Sequence, residues 1–247
     1  MTRRVLLVPH PRRPDIGDIA RDVATRLGAQ GVATTMIATD AAALHATDIG
    51  PTTVVPDAGA ANNCELVCVL GGDGTILRGA ELSRGTDTPL LGINLGKVGF
   101  LAEVEMADLA TTVDRIVARD YTVEDRMTLD VTVSHGAGVD SRTWALNEVS
   151  IEKAARERML EVTVEIDGRP LSTWGCDGVI IATPTGSTAY AFSAGEPVVW
   201  PDVEAILLVP NSAHALFARP VVVGPRSRLA VEVIRDAEGQ GVLWCDG

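Results

Sequence analysis

Residues 66–83 read LVCVLGGDGTILRGAELS. Five consecutive apolar residues with no polar alternation describe a strand covered on both faces, and such strands belong to parallel sheets flanked by helices. The run stops at Gly71, Gly72 and Gly74, wrapped around Asp73, and a helical pattern follows over Thr75–Ser83. Strand, glycine turn and helix make one βα unit, which commits this part of the chain to an α/β arrangement.

The neighbouring segments continue the alternation. Val5–Val8 is strand-like, and Ile16, Ile19, Val23 and Leu27 recur at helical spacing up to Gly28 or Gly31. Val32–Ile37 and PLLGINLG (residues 89–96) add buried strands, and Asp108–Ala118 a further helix. The stretch from Asp40 to Asn63, rich in Ala, Thr, Gly, Pro and Asp, reads as a long mobile connection with a little helix. The texture changes near Glu124–Met127. LDVTVSH and LEVTVEIDG alternate with period two, and the second ends in the hairpin dipeptide Asp167-Gly168. WALNEVSIE, GVIIAT, AILLVP, RPVVV, RLAVEVI and VLWCDG extend the strand pattern, while helical spacing nearly vanishes. The expected architecture is an α/β domain with a parallel sheet over residues 1–125, then a β-rich, sandwich-like or layered domain over 126–247.

A net charge of −12 repels polyanions, which argues against a broad nucleic-acid surface and against docking on an anionic membrane. A phosphorylated small molecule remains compatible, because backbone donors or a metal can override the global charge locally. The four cysteines, Cys64, Cys68, Cys176 and Cys245, contain no CxxC pair, and the four histidines do not cluster beside them. They read as buried small hydrophobes in a reducing compartment rather than as disulfides or zinc ligands. The start, MTRRVLLVPHPRRP, carries an apolar run of only four residues, too short for a signal peptide, and no stretch is apolar long enough to cross a bilayer. The expected location is the cytoplasm.

Glycines between a strand and a helix start let backbone N–H groups approach an anion, and the helix dipole favours negative charge there. Neither Lys-Ser nor Lys-Thr follows, so this is no Walker loop, and the glycine spacing is not that of a dinucleotide fingerprint. Asp73 distinguishes the segment. Beside bound phosphates a carboxylate is repelled unless it holds Mg²⁺ or takes a proton from an attacking hydroxyl, and both roles belong to phosphoryl transfer. The plainer alternative is a Gly-Asp-Gly turn with Asp73 as an N-cap ahead of Thr75.

GGDGT followed by Leu77-Arg78 resembles a kinase superfamily that includes NAD kinases, diacylglycerol and sphingosine kinases and, more distantly, phosphofructokinases. Three later stretches are more selective: ALNEVSIEK with Asn147-Glu148, GCDGVIIATPTGSTAYAFSAG over Gly175–Gly195, and LLVPNSAHALFARP around Ser212. With GINLGKVGFLAEV they resemble bacterial NAD kinases of the actinobacterial type over nearly the whole chain. The resemblance implies transfer of a phosphoryl group from ATP, or from inorganic polyphosphate in some members, to the 2′-hydroxyl of the adenosine ribose of NAD, giving NADP. It implies an NAD site between an α/β and a β domain, Mg²⁺ carried with the phosphates rather than in a protein metal site, and a homodimer or homotetramer. Small molecules are then the partners, with no nucleic acid and no membrane.

Carried onto this chain, the resemblance makes Asp73 the base that accepts the ribose proton. Gly74 lies against NAD, Arg78 reaches a phosphate and Phe100 lines the pocket. Asn147 and Glu148 hydrogen-bond the ribose, and Asp177 contacts the nicotinamide side, with a neighbouring subunit as one source of that contact. Thr185, Thr188, Ala189, Tyr190, Ala191, Phe192 and Ser193 contact the adenosine half. The residues themselves allow plainer readings. Asn147-Glu148 is compatible with a surface turn, TPTGSTA with a helix capped by Ser187, Asp177-Gly178 with a simple turn, and Tyr190 and Phe192 with core positions.

Two departures stand out. The family pattern after TAYAFSAG is Gly-Pro, whereas this chain has Glu196-Pro197, so a positive φ at that site would strain the backbone and Glu196 is expected to lower NAD affinity or stability. The chain also stops at Asp246-Gly247, where the family continues by several strands. The expectation is a truncated chain with an exposed strand edge and lower stability than a longer one. These departures leave open a catalytically weakened NAD(P)-binding remnant. The shared GGDGT leaves open a diacylglycerol-kinase-like lipid kinase.

Overall fold

The computed structural model describes residues 2–44, 52–56, 59–96, 99–102, 104–135, 138–155, 159–215, 218–234 and 240–247. The chain divides into two compact units, Met1–Glu124 and Asp125–Gly247.

In the first unit, strands β1 (Arg4–Pro9), β2 (Ala33–Ile37), β3 (Thr52–Val55), β4 (Leu66–Leu70), β5 (Leu90–Asn94) and β6 (Val104–Glu105) form one sheet in the order β3-β2-β1-β4-β5-β6. Every pairing is parallel. Helices α1 (Ile16–Ala29) and α4 (Leu109–Ala118) cover one face, where Val23, Leu27, Val113 and Ile116 meet Val5, Leu7, Cys68 and Leu70. Helix α3 (Asp73–Ser83) covers the other, with Ile76 against Leu6, Val8, Val67 and Val69. The continuous apolar strands are thus buried on both sides. A Cβ on Gly79 would lie 2.6 Å from Val69 Cγ2 and 2.9 Å from Leu90 Cδ1, so glycine lets α3 settle close to the sheet.

Three elements depart from the sequence reading. Helix α3 begins at Asp73, not Thr75. The two-residue β6 had no visible strand signal. The connection after Asp40 holds, besides the little helix expected there, α2 (Ala38–Ala43), the unexpected edge strand β3; the expected mobility falls partly on residues 45–51 and 57–58, outside the described residues.

The second unit is built from strands. β7 (Leu129–His135) and β8 (Gly138–Ala145) form a hairpin. β9 (Glu148–Lys153), β12 (Gly178–Ala182), β13 (Ile206–Asn211), β14 (Val221–Val223) and β16 (Gly241–Cys245) form a five-stranded antiparallel sheet in the order β14-β13-β12-β9-β16. β10 (Leu160–Ile166), β11 (Arg169–Cys176) and β15 (Leu229–Val233) form a three-stranded sheet. Leu160, Val162, Val164 and Trp174 from the smaller sheet pack with Val179, Leu208 and Ile181 from the larger one, which makes the layered core. Asp167 and Gly168 both take positive φ, 52° and 73°, in the turn joining β10 and β11. A two-residue turn of that hand matches the twist of the strands it connects.

Among the described residues no helix is long and apolar enough to cross a membrane.

Candidate active site

The strand order of the first unit reverses between β1 and β4, the point at which open parallel sheets leave a crevice outside the carboxyl ends of their strands. The glycine loop leaves β4 there, and His10 at the end of β1 donates its N–H to Leu70 O at 2.9 Å. Thr75 and Ile76 N–H both turn back to Gly72 O, so α3 opens on the peptides of Gly72–Gly74. A Cβ on Gly71 would lie 2.7 Å from Thr75 Cβ, so this glycine is fixed by packing. Gly74 differs: it is exposed, and a Cβ there would meet nothing within 4 Å. The space over the helix start is open.

Asp73 is not an N-cap. Gly72 holds that position with no side-chain cap bond, and Asp73 is the first helical residue. Its carboxylate instead accepts Phe100 N–H on Oδ2 and Leu101 N–H on Oδ1, each at 3.2 Å. The Phe100 ring is 70% exposed. Arg78, one turn along α3, turns its guanidinium to the buried Asp40 carboxylate, and its Nε is buried without a hydrogen bond. The phosphate contact expected of Arg78 therefore competes with an ion pair inside this unit.

In the second unit the chain bends at Leu146-Asn147, between β8 and β9, and Asn147 and Glu148 are both 6% exposed. A surface turn is ruled out. Thr183 Oγ1 donates to Leu146 O at 2.6 Å and accepts Gly186 N–H at 3.1 Å, and Thr183 N–H donates to Asn147 O at 2.8 Å. A Cβ on Gly186 would lie 2.8 Å from Asn147 Cα and closer still to its carbonyl. TPTGST and Asn147-Glu148, 36 residues apart, are thereby joined backbone to backbone. Asp246 closes the bend from the other side. Its Oδ1 accepts Asn147 N–H at 2.7 Å and Glu148 N–H at 3.2 Å, and its Oδ2 accepts Leu146 N–H at 2.8 Å. Asp246 sits at φ 59°. The Asp246-Gly247 dipeptide that resembled an unfinished turn is thus an acceptor for three backbone donors.

β9 presents Glu148, Ser150 and Glu152 on one face of the sheet, with Trp244 of β16 opposite Ser150. These residues, with Tyr190 and Gly247, line a cleft of about 350 Å³. Ser150 Oγ donates to Glu152 Oε1 at 2.8 Å, and Tyr190 Oη accepts from Asn211 Nδ2 at 3.2 Å. Burial pushes the Glu148 carboxyl up to about 7; the Tyr190 N–H opposes that shift, and the Asp246 charge adds to it. Asn147 Oδ1 is buried with no partner, an acceptor waiting for a donor.

TPTGSTAYAFSAG folds as a 3-10 turn, Thr185–Thr188, and a one-turn helix α5, Tyr190–Ser193. Ser187 is not an N-cap: it lies inside the turn, where its Oγ accepts Val199 N–H at 2.9 Å and donates to Pro184 O at 2.7 Å. Thr185 is buried, Thr188, Ala189 and Tyr190 are half-buried, and Phe192 and Ser193 are exposed. Ala191 is wholly buried beside Ile180, Ala182, Leu207 and Val209, so its methyl group faces the core. The positive φ of the next turn falls on Gly195, at 91°, not on Glu196, so the backbone strain expected at Glu196 does not arise. The burden is electrostatic instead. Glu196 is 3% exposed, neither carboxylate oxygen has a hydrogen-bond partner, and burial raises its pKa.

Asp177 is half-buried where the chain passes from one sheet to the other, so Asp177-Gly178 is not a hairpin turn. Its carboxylate pairs with Lys153 at 2.5 Å, which holds it below the usual carboxylate range. The sequence reading missed Thr183, Asp246 and the Ser150–Glu152 pair. The last was accessible, because the period of two in NEVSIEK places Glu148, Ser150 and Glu152 on one face.

Residues 5–121 match the ATP-NAD kinase N-terminal domain and residues 146–247 the ATP-NAD kinase C-terminal domain. The NAD kinase of Thermobifida fusca is 56% identical over 252 residues, covering 99% of this chain and 77% of that protein. Yeast NADH kinase, solved in complex with NADH, superposes with a TM-score of 0.89 at 25% identity over 99% of this chain and 75% of that one. An NAD kinase from Archaeoglobus fulgidus, solved with ATP, superposes with a TM-score of 0.74 at 24% identity over 100% of this chain and 84% of that one. With both domains matched in order and 56% of residues shared with a relative over 99% of this chain, the chain belongs to the NAD kinase family.

Proposed function

We infer that the protein phosphorylates the 2′-hydroxyl of the adenosine ribose of NAD, with ATP as donor, and releases NADP and ADP. The observation that carries this reading furthest is Asp73. It is a carboxylate on the first residue of a helix at the strand-order reversal, beside a glycine whose open side leaves room for substrate. In the proposed reaction the ribose oxygen attacks the γ-phosphorus, its proton passes to the Asp73 carboxylate, and the bond from the γ-phosphorus to the bridging oxygen breaks to release ADP. The N–H groups at the start of α3 suit the phosphate charge.

The second unit contributes recognition. Asn147 and Glu148 offer an amide and a carboxyl to ribose hydroxyls, and the buried Asn147 Oδ1 without a donor supports that role. Thr185, Thr188, Ala189, Tyr190, Phe192 and Ser193 are assigned to the adenosine half, with Ala191 contributing backbone only. Phe100 is assigned to the pocket wall, Arg78 to a phosphate once it leaves Asp40, and Asp177 to the nicotinamide side. Among the described residues no three His, Cys, Asp or Glu side chains cluster as a metal cage. We therefore assign Mg²⁺ to the donor's phosphates, where it neutralises charge, with at most one or two carboxylates assisting. Polyphosphate as a second donor, a homodimer or homotetramer, and a cytoplasmic location complete the proposal.

The test mixes the protein with NAD, ATP and Mg²⁺ and detects NADP with an NADP-specific dehydrogenase. Turnover that is lost in Asp73→Asn while NAD binding is kept supports the assignment. Absence of NADP from the wild-type reaction refutes it. Polyphosphate in place of ATP reads the donor, and light scattering reads the assembly.

A further inference from the structure

We propose that Gly99, Phe100 and Leu101 form a backbone cradle that fixes the orientation of the Asp73 carboxylate, with Gly99 as a positioning residue for the transfer. The proposal rests on the reading of Asp73 as proton acceptor. An Asp at the start of a helix ordinarily turns its carboxylate onto its own first N–H groups. Asp73 does not. Its two oxygens go to two consecutive peptides 27 and 28 residues away, one donor for each oxygen. Two anchored oxygens define the plane of the carboxylate, and each retains a further lone pair for a hydroxyl proton.

Gly99 is what allows the approach. A Cβ there would lie 2.8 Å from Asp73 Cγ and 2.9 Å from Oδ2, and closer still to Oδ1. Gly99 is not among the residues at positive φ, so the demand is for space rather than for an unusual backbone. It is the room for the carboxylate that calls for glycine. Phe100 also has a ring that is 70% exposed, so the peptide that orients Asp73 belongs to a residue whose side chain is free to meet a ligand. A ligand pressing on Phe100 acts on the segment that holds the base.

The test is a double-mutant cycle between positions 73 and 99. Gly99→Ala is expected to lower kcat about a hundredfold, the scale of an ångström's misplacement of a reacting group, with the Kd for NAD near the wild-type value by calorimetry. The Tm falls as well. In an Asp73→Ala background the same Gly99→Ala change leaves the Tm unchanged, because no carboxylate remains to collide with. Wild-type kcat in Gly99→Ala would overturn the proposal. So would an equal fall in Tm in both backgrounds, which marks a general packing position. If Gly99→Ala alone does not fold, recovery of folding in Asp73→Ala/Gly99→Ala is the supporting result, and failure in both overturns it. Full turnover in Asp73→Ala would remove the base itself; the Tm cycle reads the cradle separately.

Discussion

The Asp246 carboxylate holds the Asn147 N–H at 2.7 Å, across 99 residues of chain. The same carboxylate takes the N–H groups on either side of Asn147. The bend that carries the proposed ribose contacts is therefore set by a residue just past the edge strand β16 of its sheet, and the first prediction tests that dependence. Asp246→Ala removes one charged acceptor for three donors. It should cost about 2 kcal/mol in urea denaturation and raise the KM for NAD more than it lowers kcat. An unchanged KM would show that the bend keeps its shape unaided.

Glu148 titrates in a buried setting, with its carboxyl pushed up to about 7 from 4.5. A carboxyl with a raised folded-state pKa contributes stability that is complete below the unfolded value and is lost as pH rises through the folded one. Wild-type stability should therefore fall between about pH 4.5 and pH 8, by about 3 kcal/mol from this group. Glu148→Gln should flatten that part of the profile and be the more stable protein at pH 8, while binding NAD more weakly because it no longer offers a carboxylate. Parallel pH profiles for the two proteins would show that Glu148 is not the titrating group.

Glu196 makes a related prediction of its own. Its two carboxylate oxygens are buried without a partner, and burial alone raises its pKa. Stability from this group is again complete below about pH 4.5 and declines as pH rises through the raised value. Glu196→Gly removes the orphaned carboxyl and should raise the Tm at pH 8 more than at pH 5. Because the turn carrying Thr185–Ser193 sits on the same segment, NAD affinity should rise with it. Equal Tm and equal activity across that range would mean that the carboxyl finds water or a donor in solution.

Gly186 has no room for a side chain beside the Asn147 backbone. Gly186→Ala should cost about 1–3 kcal/mol through overpacking and should part TPTGST from Asn147-Glu148, so NAD binding falls further than stability does. Calorimetric NAD binding at a temperature where the variant remains folded separates the two effects. Wild-type affinity would show that the junction yields without consequence.

Much of the fold was legible because local patterns and tertiary demands agree. LVCVL is apolar throughout, as a strand covered on both faces must be, and Asp167-Gly168 can hold the positive φ of a two-residue turn. Two of the misses share one cause. Asp73 and Ser187 both look like helix caps by their neighbours in sequence, and both give their side chains to distant backbone instead. Local chemistry states what a side chain can bond; it does not state which donors the folded chain brings within reach.

By itself, the order of residues determined a parallel α/β sheet followed by layered antiparallel strands, and a carboxylate inside a glycine loop at a helix start. Periodicity and turn chemistry act over a few residues, and these features are local. Only the tertiary structure decided that Gly99–Leu101 grips Asp73, that Thr183 and Asp246 clamp Asn147-Glu148 from two sides, and that Glu196 is shut away without a partner. Each of these depends on which segments the sheets and their connections bring together, and that choice belongs to the packing of each unit as a whole.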